Sequence, residues 1–258
     1  TASSNTAVGR EAMRDNTTGT NNISMGVSAL STNTTASSNT ALGTAALRRN
    51  TTGPSNTAVG HQAMDSNTTG FENVASGYRA LYNNTSGETN TAIGTEALRD
   101  NQTADNNTAV GKSALMSNTT GELNTAVGRG ALDASTTAEY NVAVGKDAGS
   151  TLTTGSYNAV LGTFALRDST TAARSVAIGT SALQNNVSGG DNTAVGSNCL
   201  TSTTGNNNTA IGYASGNANT SGSQNTFVGR DSGKNVTTGT NNTVLGDNTS
   251  ASSATVSN

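Results

Sequence analysis

The sequence predicts an all-β protein, a parallel β-solenoid (β-roll) of about fifteen coils with seventeen residues in each coil. Three observations support this: a glycine recurs with a fixed period, a short extended segment precedes it, and turn-forming residues follow. A short fixed period along a whole chain is typical of an array of stacked units. Only the step from Gly196 to Gly212 is sixteen residues. The repeat glycines are Gly9, Gly26, Gly43, Gly60, Gly77, Gly94, Gly111, Gly128, Gly145, Gly162, Gly179, Gly196, Gly212, Gly229 and Gly246.

Composition alone would indicate disorder, because only 32% of the residues are hydrophobic and 3% are aromatic. The fixed period outweighs this argument, since a polar linker has no reason to keep register. We expect one repetitive domain over residues 1–250 and a C-terminal exit segment over 251–258. The chain opens in the middle of a repeat, so we expect it to be a segment of a longer protein.

The strand of each coil is predicted just before the glycine, in the string N-T-A-V-G of Asn5–Gly9. Threonine and valine favour strands, and alternation places Thr6 and Val8 on one side and Asn5 and Ala7 on the other. The glycine, position 0 of the repeat, allows a corner where a β-carbon would clash. We expect the aliphatic residue at position −1 to form one column of a thin core.

Alanine and leucine at positions +3 and +4, such as Ala97-Leu98, are expected to begin a second short extended segment and to supply a leucine column to the core. The string N-T-T-G that follows, as at 16–19, predicts a turn. Alanine replaces its glycine in four repeats, which indicates that a positive φ is not required there. These four residues are Ala36, Ala104, Ala138 and Ala172.

A helical array is the alternative fold, but seventeen residues cannot hold two helices and two turns. Stacked coils lie ~4.8 Å apart, so fifteen coils would form a rod of roughly 70 Å. Asparagine at position −4, present in every repeat except at Ser175, is expected to form hydrogen-bonded amide ladders from coil to coil. Leucine is replaced at Gly149, Gly216 and Gly233, where we expect the rod to bend, thin or change partner.

The predicted core is thin for the seventeen residues that each coil must order. Small alanines at a second set of positions suggest further burial against a partner chain. We therefore predict that the protein binds copies of itself, as a parallel homotrimer or a higher fibre.

The strings N-T-A-V-G and S-V-A-I-G (175–179) resemble the head repeats of YadA-like trimeric autotransporter adhesins. The longer unit N-T-A-V-G-x-x-A-L-x-x-N-T-T-G resembles repeats of phage tail-fibre proteins. The first resemblance implies a trimeric left-handed β-roll that binds host surfaces. The second implies a trimeric shaft with receptor-binding elements. The repeat here is longer than the usual adhesin coil, and the stalk and anchor of an autotransporter and the terminal chaperone domain of fibres do not occur in this segment.

Enzyme chemistry is not expected. The single histidine, His61, occupies a variable position that predicts a surface side chain, and the single cysteine, Cys199, stands where other repeats have alanine, which predicts a buried thiol. We predict no catalytic, cofactor-binding or metal-binding residues. The net charge of −3 offers no basic face for nucleic acid, and no apolar run is long enough for membrane insertion.

Exposed aromatic residues are the candidate surface-binding positions, since they stack on sugars or anchor protein partners. Packing against a neighbouring chain is the alternative explanation for them. The candidates are Phe71, Tyr78, Tyr82, Tyr140 and Tyr157.

Four acidic residues at position +11 form a second column. Basic residues at position +1 are expected to neutralise it, within one chain or between chains, with calcium as the alternative. The acidic residues are Glu88, Asp105, Glu122 and Glu139, and the basic ones are Lys112, Arg129 and Lys146.

These patterns predict a non-enzymatic, extracellular, fibrous adhesin or tail-fibre-like shaft, on a bacterial cell surface or a virion, that attaches to a host-surface glycan or protein. Two alternatives stay open. One is a purely structural extracellular filament. The other is an ice-binding solenoid, because regular threonine arrays order water.

Overall fold

The computed structural model describes residues 2–250 and is an all-β parallel solenoid with one three-residue strand in each coil. The chain divides into two compact units, residues 1–124 and 125–258. The predicted exit segment 251–258 lies outside the described residues, and the single domain over 1–250 stays a prediction. No helix occurs in residues 2–250, so the helical alternative is wrong.

The first unit contains seven strands that follow one another in a parallel sheet. They are β1 (Thr6–Val8), β2 (Ile23–Met25), β3 (Thr40–Leu42), β4 (Thr57–Val59), β5 (Val74–Ser76), β6 (Thr91–Ile93) and β7 (Thr108–Val110). Equivalent residues of successive repeats pair, as Ala41 does with Ala58 and Ala58 with Ala75. The seventeen-residue period is therefore the register of the sheet.

The second unit contains eight strands arranged in the same way. They are β8 (Thr125–Val127), β9 (Val142–Val144), β10 (Ala159–Leu161), β11 (Val176–Ile178), β12 (Thr193–Val195), β13 (Thr209–Ile211), β14 (Thr226–Val228) and β15 (Thr243–Leu245). The sixteen-residue step preserves this register, because Thr193 pairs with Thr209. The residue missing from the shortened coil is position +9. The backbone N–H of Thr204 donates to the carbonyl of Thr220, the +8 residue of the next coil, and Gly205 lies against Gly222, the +10 residue of that coil.

The core of each coil is built from the alanine at position −2 and the residues at positions +3 and +4. Ala92, Ala97 and Leu98, for example, have no exposed surface. The predicted leucine column is confirmed. The aliphatic column at position −1 is wrong as a core element, because its side chains face outward, with Val8 53% and Leu161 50% exposed.

The strand alternates as predicted, but its inner face is the alanine face. The reason is space: the leucine at position +4 reaches across the narrow coil and leaves room only for a methyl group opposite it. Phe227 is the largest residue at position −2, and the +4 residues against it are glycines: a β-carbon at Gly216 or Gly233 would collide with its ring. The alanines are thus buried by their own chain, and their size is no evidence for a partner.

The Ala-Leu segment is not extended, which corrects a second prediction. It lies in a run of turns over positions +1 to +6, although backbone bonds such as Leu30 N–H to Ala46 C=O still join successive coils. Positions +2, +4 and +12 adopt left-handed φ angles with ordinary residues, for example 58° at Gln62, 53° at Leu81 and 63° at Tyr157. Each such residue costs roughly 1–2 kcal/mol. At position +4, burial of the leucine itself is worth about as much as that local cost.

The repeat glycines form corners, as predicted. Gly60 has a φ of 136°, and a β-carbon there would lie 2.5 Å from the carbonyl oxygen of Gly77 in the next coil. A side chain at this position would therefore force the two coils apart. Ala36, Ala104, Ala138 and Ala172 have no positive φ, which confirms that position +10 does not require one.

Asparagine ladders join the coils, also as predicted. At position −4 the Oδ1 of Asn73 accepts the backbone N–H of Asn90, and its Nδ2 donates to the carbonyl of Gly87. A second ladder runs at position +7, where Asn84 Nδ2 donates to Asn67 Oδ1 at 2.8 Å and to the Gly87 carbonyl. Both ladders are largely buried, so most of their amide groups are satisfied by the neighbouring coils and turns, although the Nδ2 of Asn39 and the Oδ1 of Asn118 have no partner among the described residues.

Candidate binding surfaces

The outer face of the sheet presents a regular series of exposed apolar side chains in each unit. We call the position −1 side chains on this face the outer column; in-register pairing stacks them, as Ile93 on Val110 and Ile178 on Val195. Only Ser76 interrupts it in the first unit, and every member is apolar in the second. The exposed members include Val8, Met25, Val59, Ile93, Leu161, Ile178, Ile211, Val228 and Leu245. A continuous stripe of exposed apolar side chains of this kind is a candidate interaction surface.

Two of the aromatic candidates form a stacked pair. The rings of Tyr140 and Tyr157 lie 4.9 Å apart and 5° from parallel, and both residues are about half exposed, at 45% and 58%. Because each ring covers a face of the other, the pair presents ring edges and hydroxyl groups outward. This geometry favours hydrogen bonding to a partner over stacking of a sugar between the two rings.

Tyr78 and Tyr82 belong to a second group, which Arg79 holds together. The guanidinium carbon of Arg79 lies 5.2 Å from the centroid of each ring. The ring of His61 stacks on Tyr78 at 5.6 Å, and His61 is exposed as predicted. Phe71 makes no ring contact in residues 2–250 and is only partly exposed, so the structure does not join it to this group.

Sequence reasoning missed His61, Arg79 and Tyr213 as surface residues of interest. Tyr213 is 54% exposed at position +1, the position that His61 and Tyr78 occupy in their own coils. The sequence does contain this information, because residues at equal repeat positions lie next to each other in successive coils. Comparing side chains at equal repeat positions would have found the pair of His61 and Tyr78.

The acidic column is not neutralised in the way predicted. Among the described residues, none of Glu88, Asp105, Glu122 and Glu139 forms an ion pair within the chain, and Lys146 pairs with Asp147 instead, at 3.7 Å. Glu88 and Asp105 are linked through the backbone, because the N–H of Glu88 donates to the Asp105 carboxylate at 2.7 Å. Pairing between chains stays a prediction. Within residues 2–250 no three histidine, cysteine or acidic side chains come together as ligands for a metal ion.

The exposed threonines at position +9 form a further column. These side chains make no hydrogen bond in the described chain, whereas the +8 hydroxyls donate to the next coil, as from Thr17 to the carbonyl of Thr34 at 2.7 Å. The +9 residues are Thr18, Thr35, Thr52, Thr69, Ser86, Thr103, Thr120, Thr137, Thr154, Thr171, Ser188, Ser221 and Thr238. Their free hydroxyl groups are available to water or a ligand, and the column is interrupted at the shortened coil.

Cys199 is buried, as predicted, and its thiol donates to the carbonyl of Ala210 at 3.2 Å. Burial raises the pKa of the Cys199 thiol from its ordinary 9.0 to about 12, and a backbone hydrogen bond only partly offsets this. The thiolate is therefore a negligible fraction at neutral pH, and the residue acts as a small core side chain.

In the part of the chain that the structure describes, no helix is long and apolar enough to cross a membrane. Comparisons with protein-family models, with curated proteins and with solved structures found no match to this chain. The resemblance to adhesin heads and tail-fibre repeats rests on the repeat strings and stays a prediction.

Proposed function

We propose that this chain is a non-enzymatic, extracellular fibre element that assembles as a parallel homotrimer and attaches a bacterial cell or a virion to a surface. The outer column carries the proposal. An apolar stripe that follows the whole sheet of each unit fits a partner whose side chains repeat at the same coil spacing. A second copy of this chain has the same spacing because it has the same coils.

Parallel copies fit the column better than antiparallel ones. The column varies in size and polarity along its length, from Ser76 in the first unit to Leu161 in the second. Three parallel copies around a common axis would place identical residues at the same position along that axis. Ser76 of each copy would then contact Ser76 of the others, and large side chains would contact large ones. Other exposed side chains then face away from the axis and are free to bind a receptor.

Sedimentation of the purified chain tests the assembly. We expect a particle of three times the 25.6 kDa chain mass, and we expect Ile93→Asp combined with Ile211→Asp to shift it to monomer, because the charges would enter the apolar interface. Thr95→Asp is the matched control, since Thr95 is exposed outside the column and its change leaves the interface intact. A wild-type monomer at all concentrations would contradict the proposal, as would unchanged mass in the double variant.

Ice binding is a second candidate function, favoured by the free hydroxyl column at position +9. Its test is an ice-recrystallisation assay with Thr69→Lys and Thr103→Lys, whose long charged side chains would break the regular array. If the candidate holds, the wild-type chain inhibits recrystallisation and the double variant does not. A wild-type chain without inhibition removes this candidate and leaves the fibre proposal untouched.

A further inference from the structure

One group of side chains in the first unit combines a positive charge, exposed rings and unused hydrogen-bond donors. We call it the Arg79 cluster. Its members lie on two successive coils, at positions +1, +2 and +5. They are His61, Gln62, Tyr78, Arg79 and Tyr82.

The cluster fixes the guanidinium of Arg79 in place. Its Nε donates to Gln62 Oε1 at 2.9 Å, and its carbon lies 5.2 Å from the ring centroids of both tyrosines. Cation–π attraction and the amide bond therefore orient the group without any carboxylate. The four hydrogens on the two Nη atoms have no acceptor in the described chain.

Arg79 differs in this from most arginines of the molecule. Seven others have a carboxylate within 4 Å, and their donors are at least partly used within the chain; they are Arg14, Arg48, Arg49, Arg99, Arg167, Arg174 and Arg230. Arg79 makes no ion pair among residues 2–250. An oriented arginine with a free pair of Nη groups is suited to bind a planar anion with two parallel hydrogen bonds.

The neighbouring rings indicate what else the ligand contains. Tyr78 is 42% exposed and stacks on the exposed ring of His61, so the pair presents its ring edges and the face of His61 that points away from Tyr78. The C–H groups of a pyranose ring pack on such surface while its hydroxyl groups stay in water.

We propose that the Arg79 cluster binds an acidic sugar, with the carboxylate on the Nη groups of Arg79 and the pyranose ring against Tyr78 and His61. The proposal rests on the proposed function, for which it names the chemical class of the receptor. One such site on an open surface binds weakly, with a Kd on the order of 1 mM, and three copies in one fibre raise the avidity.

Saturation-transfer NMR on the assembled protein tests the site, with glucuronic acid, glucose and glucose 6-sulfate as probes. We expect transfer to glucuronic acid and little to glucose, and we expect Arg79→Gln to raise the Kd roughly tenfold, because a charge-assisted pair is lost. Gln62 occupies the same repeat position with the same left-handed backbone, so glutamine at 79 is compatible with the fold. Arg79→Lys keeps the charge without the planar guanidinium, so its Kd for glucuronic acid should lie between those of the wild-type chain and Arg79→Gln.

Arg129→Gln is the matched control, since Arg129 is exposed and makes neither ion pair nor ring contact in the described residues. It removes the same charge, so equal losses for both variants would overturn the site. Equal binding of glucose and glucuronic acid would overturn it as well. Preference for glucose 6-sulfate would overturn the claim that the acidic group of the ligand is a carboxylate, although Arg79 would still be the residue that binds the anion. If the trimer attaches to surfaces equally well with Arg79→Gln, the site fails and the proposed function stands.

Discussion

The coils of the two units have the same backbone arrangement but different buried side chains. In the first, position +7 is asparagine in all seven coils and position +4 is always leucine or methionine. In the second, position +7 is asparagine only at Asn186 and Asn219, and three leucines at position +4 are replaced by glycine. The coil therefore needs a filled and hydrogen-bonded interior, and more than one set of side chains supplies it.

The second unit replaces lost leucines by moving volume within the coil. Leu152 at position +7 accompanies Gly149, Val236 accompanies Gly233, and both apolar residues are fully buried. Phe227 at position −2 fills the remaining space: a β-carbon at Gly216 would lie 2.6 Å from its ring. The irregular glycines therefore mark places where other side chains fill the core, and bending, thinning or a change of partner there stays a prediction.

Removing the ring of Phe227 should produce the largest effect in this comparison. Phe227→Ala leaves a cavity beside Gly216 and Gly233, and we expect it to lower the free energy of unfolding by about 4 kcal/mol. Adding Gly216→Leu restores the pattern of the first unit and should recover more than half of the loss. Denaturant unfolding of both variants measures this. A double variant no more stable than Phe227→Ala would show that the two positions do not exchange volume.

Breaking the amide ladder of the first unit should cost somewhat less. Asn67→Ala removes the bond to Asn50 Oδ1 and the bond to the Gly70 carbonyl, and it takes away one of the two acceptors of Asn84 Nδ2. We expect a loss of about 3 kcal/mol in the free energy of unfolding, because buried polar groups lose their partners.

Asn186→Ser is the matched change in the second unit. Asn186 bonds only within its own turn, to Gly189, and serine or threonine occupies position +7 in both neighbouring coils. The expected loss is about 1 kcal/mol, measured by the same denaturant series. Equal losses at Asn67 and Asn186 would mean that the continuous ladder adds no stability beyond its local bonds.

The smallest effect concerns Cys199 in the second unit. Its raised pKa means that the folded state holds the proton more tightly than the unfolded one. The stability it contributes is complete below pH 9 and is lost as the pH rises toward about 12. Cys199→Ala, which restores the residue of most other repeats, should flatten this part of the pH profile. In the wild-type chain we expect thiol-labelling reagents to react at pH 8 only after unfolding, and rapid native labelling would contradict the buried site.

Much of the coil was predictable because a period of seventeen residues requires equal positions to stack. The corner glycines, the asparagine ladder at position −4 and the leucine column follow from that requirement and from the chemistry of each residue type. The same rule predicted Tyr140 and Tyr157 as neighbours. It did not predict that their ring faces would be used on each other, since ring orientation depends on the left-handed backbone at position +12.

The repeat, the register and the alternation of the strand follow from the amino-acid order alone, because they depend only on spacing and backbone geometry. Which face of the strand is buried depends on the folded coil. Alternation places Ala92 and Ile93 on opposite faces of the strand but does not show which face is buried. Hydrophobicity alone would predict that the isoleucine is buried. The width of the coil settles the matter, because Leu98 already fills it. The larger side chains turn outward for that reason, where they form the surface on which the proposed assembly depends.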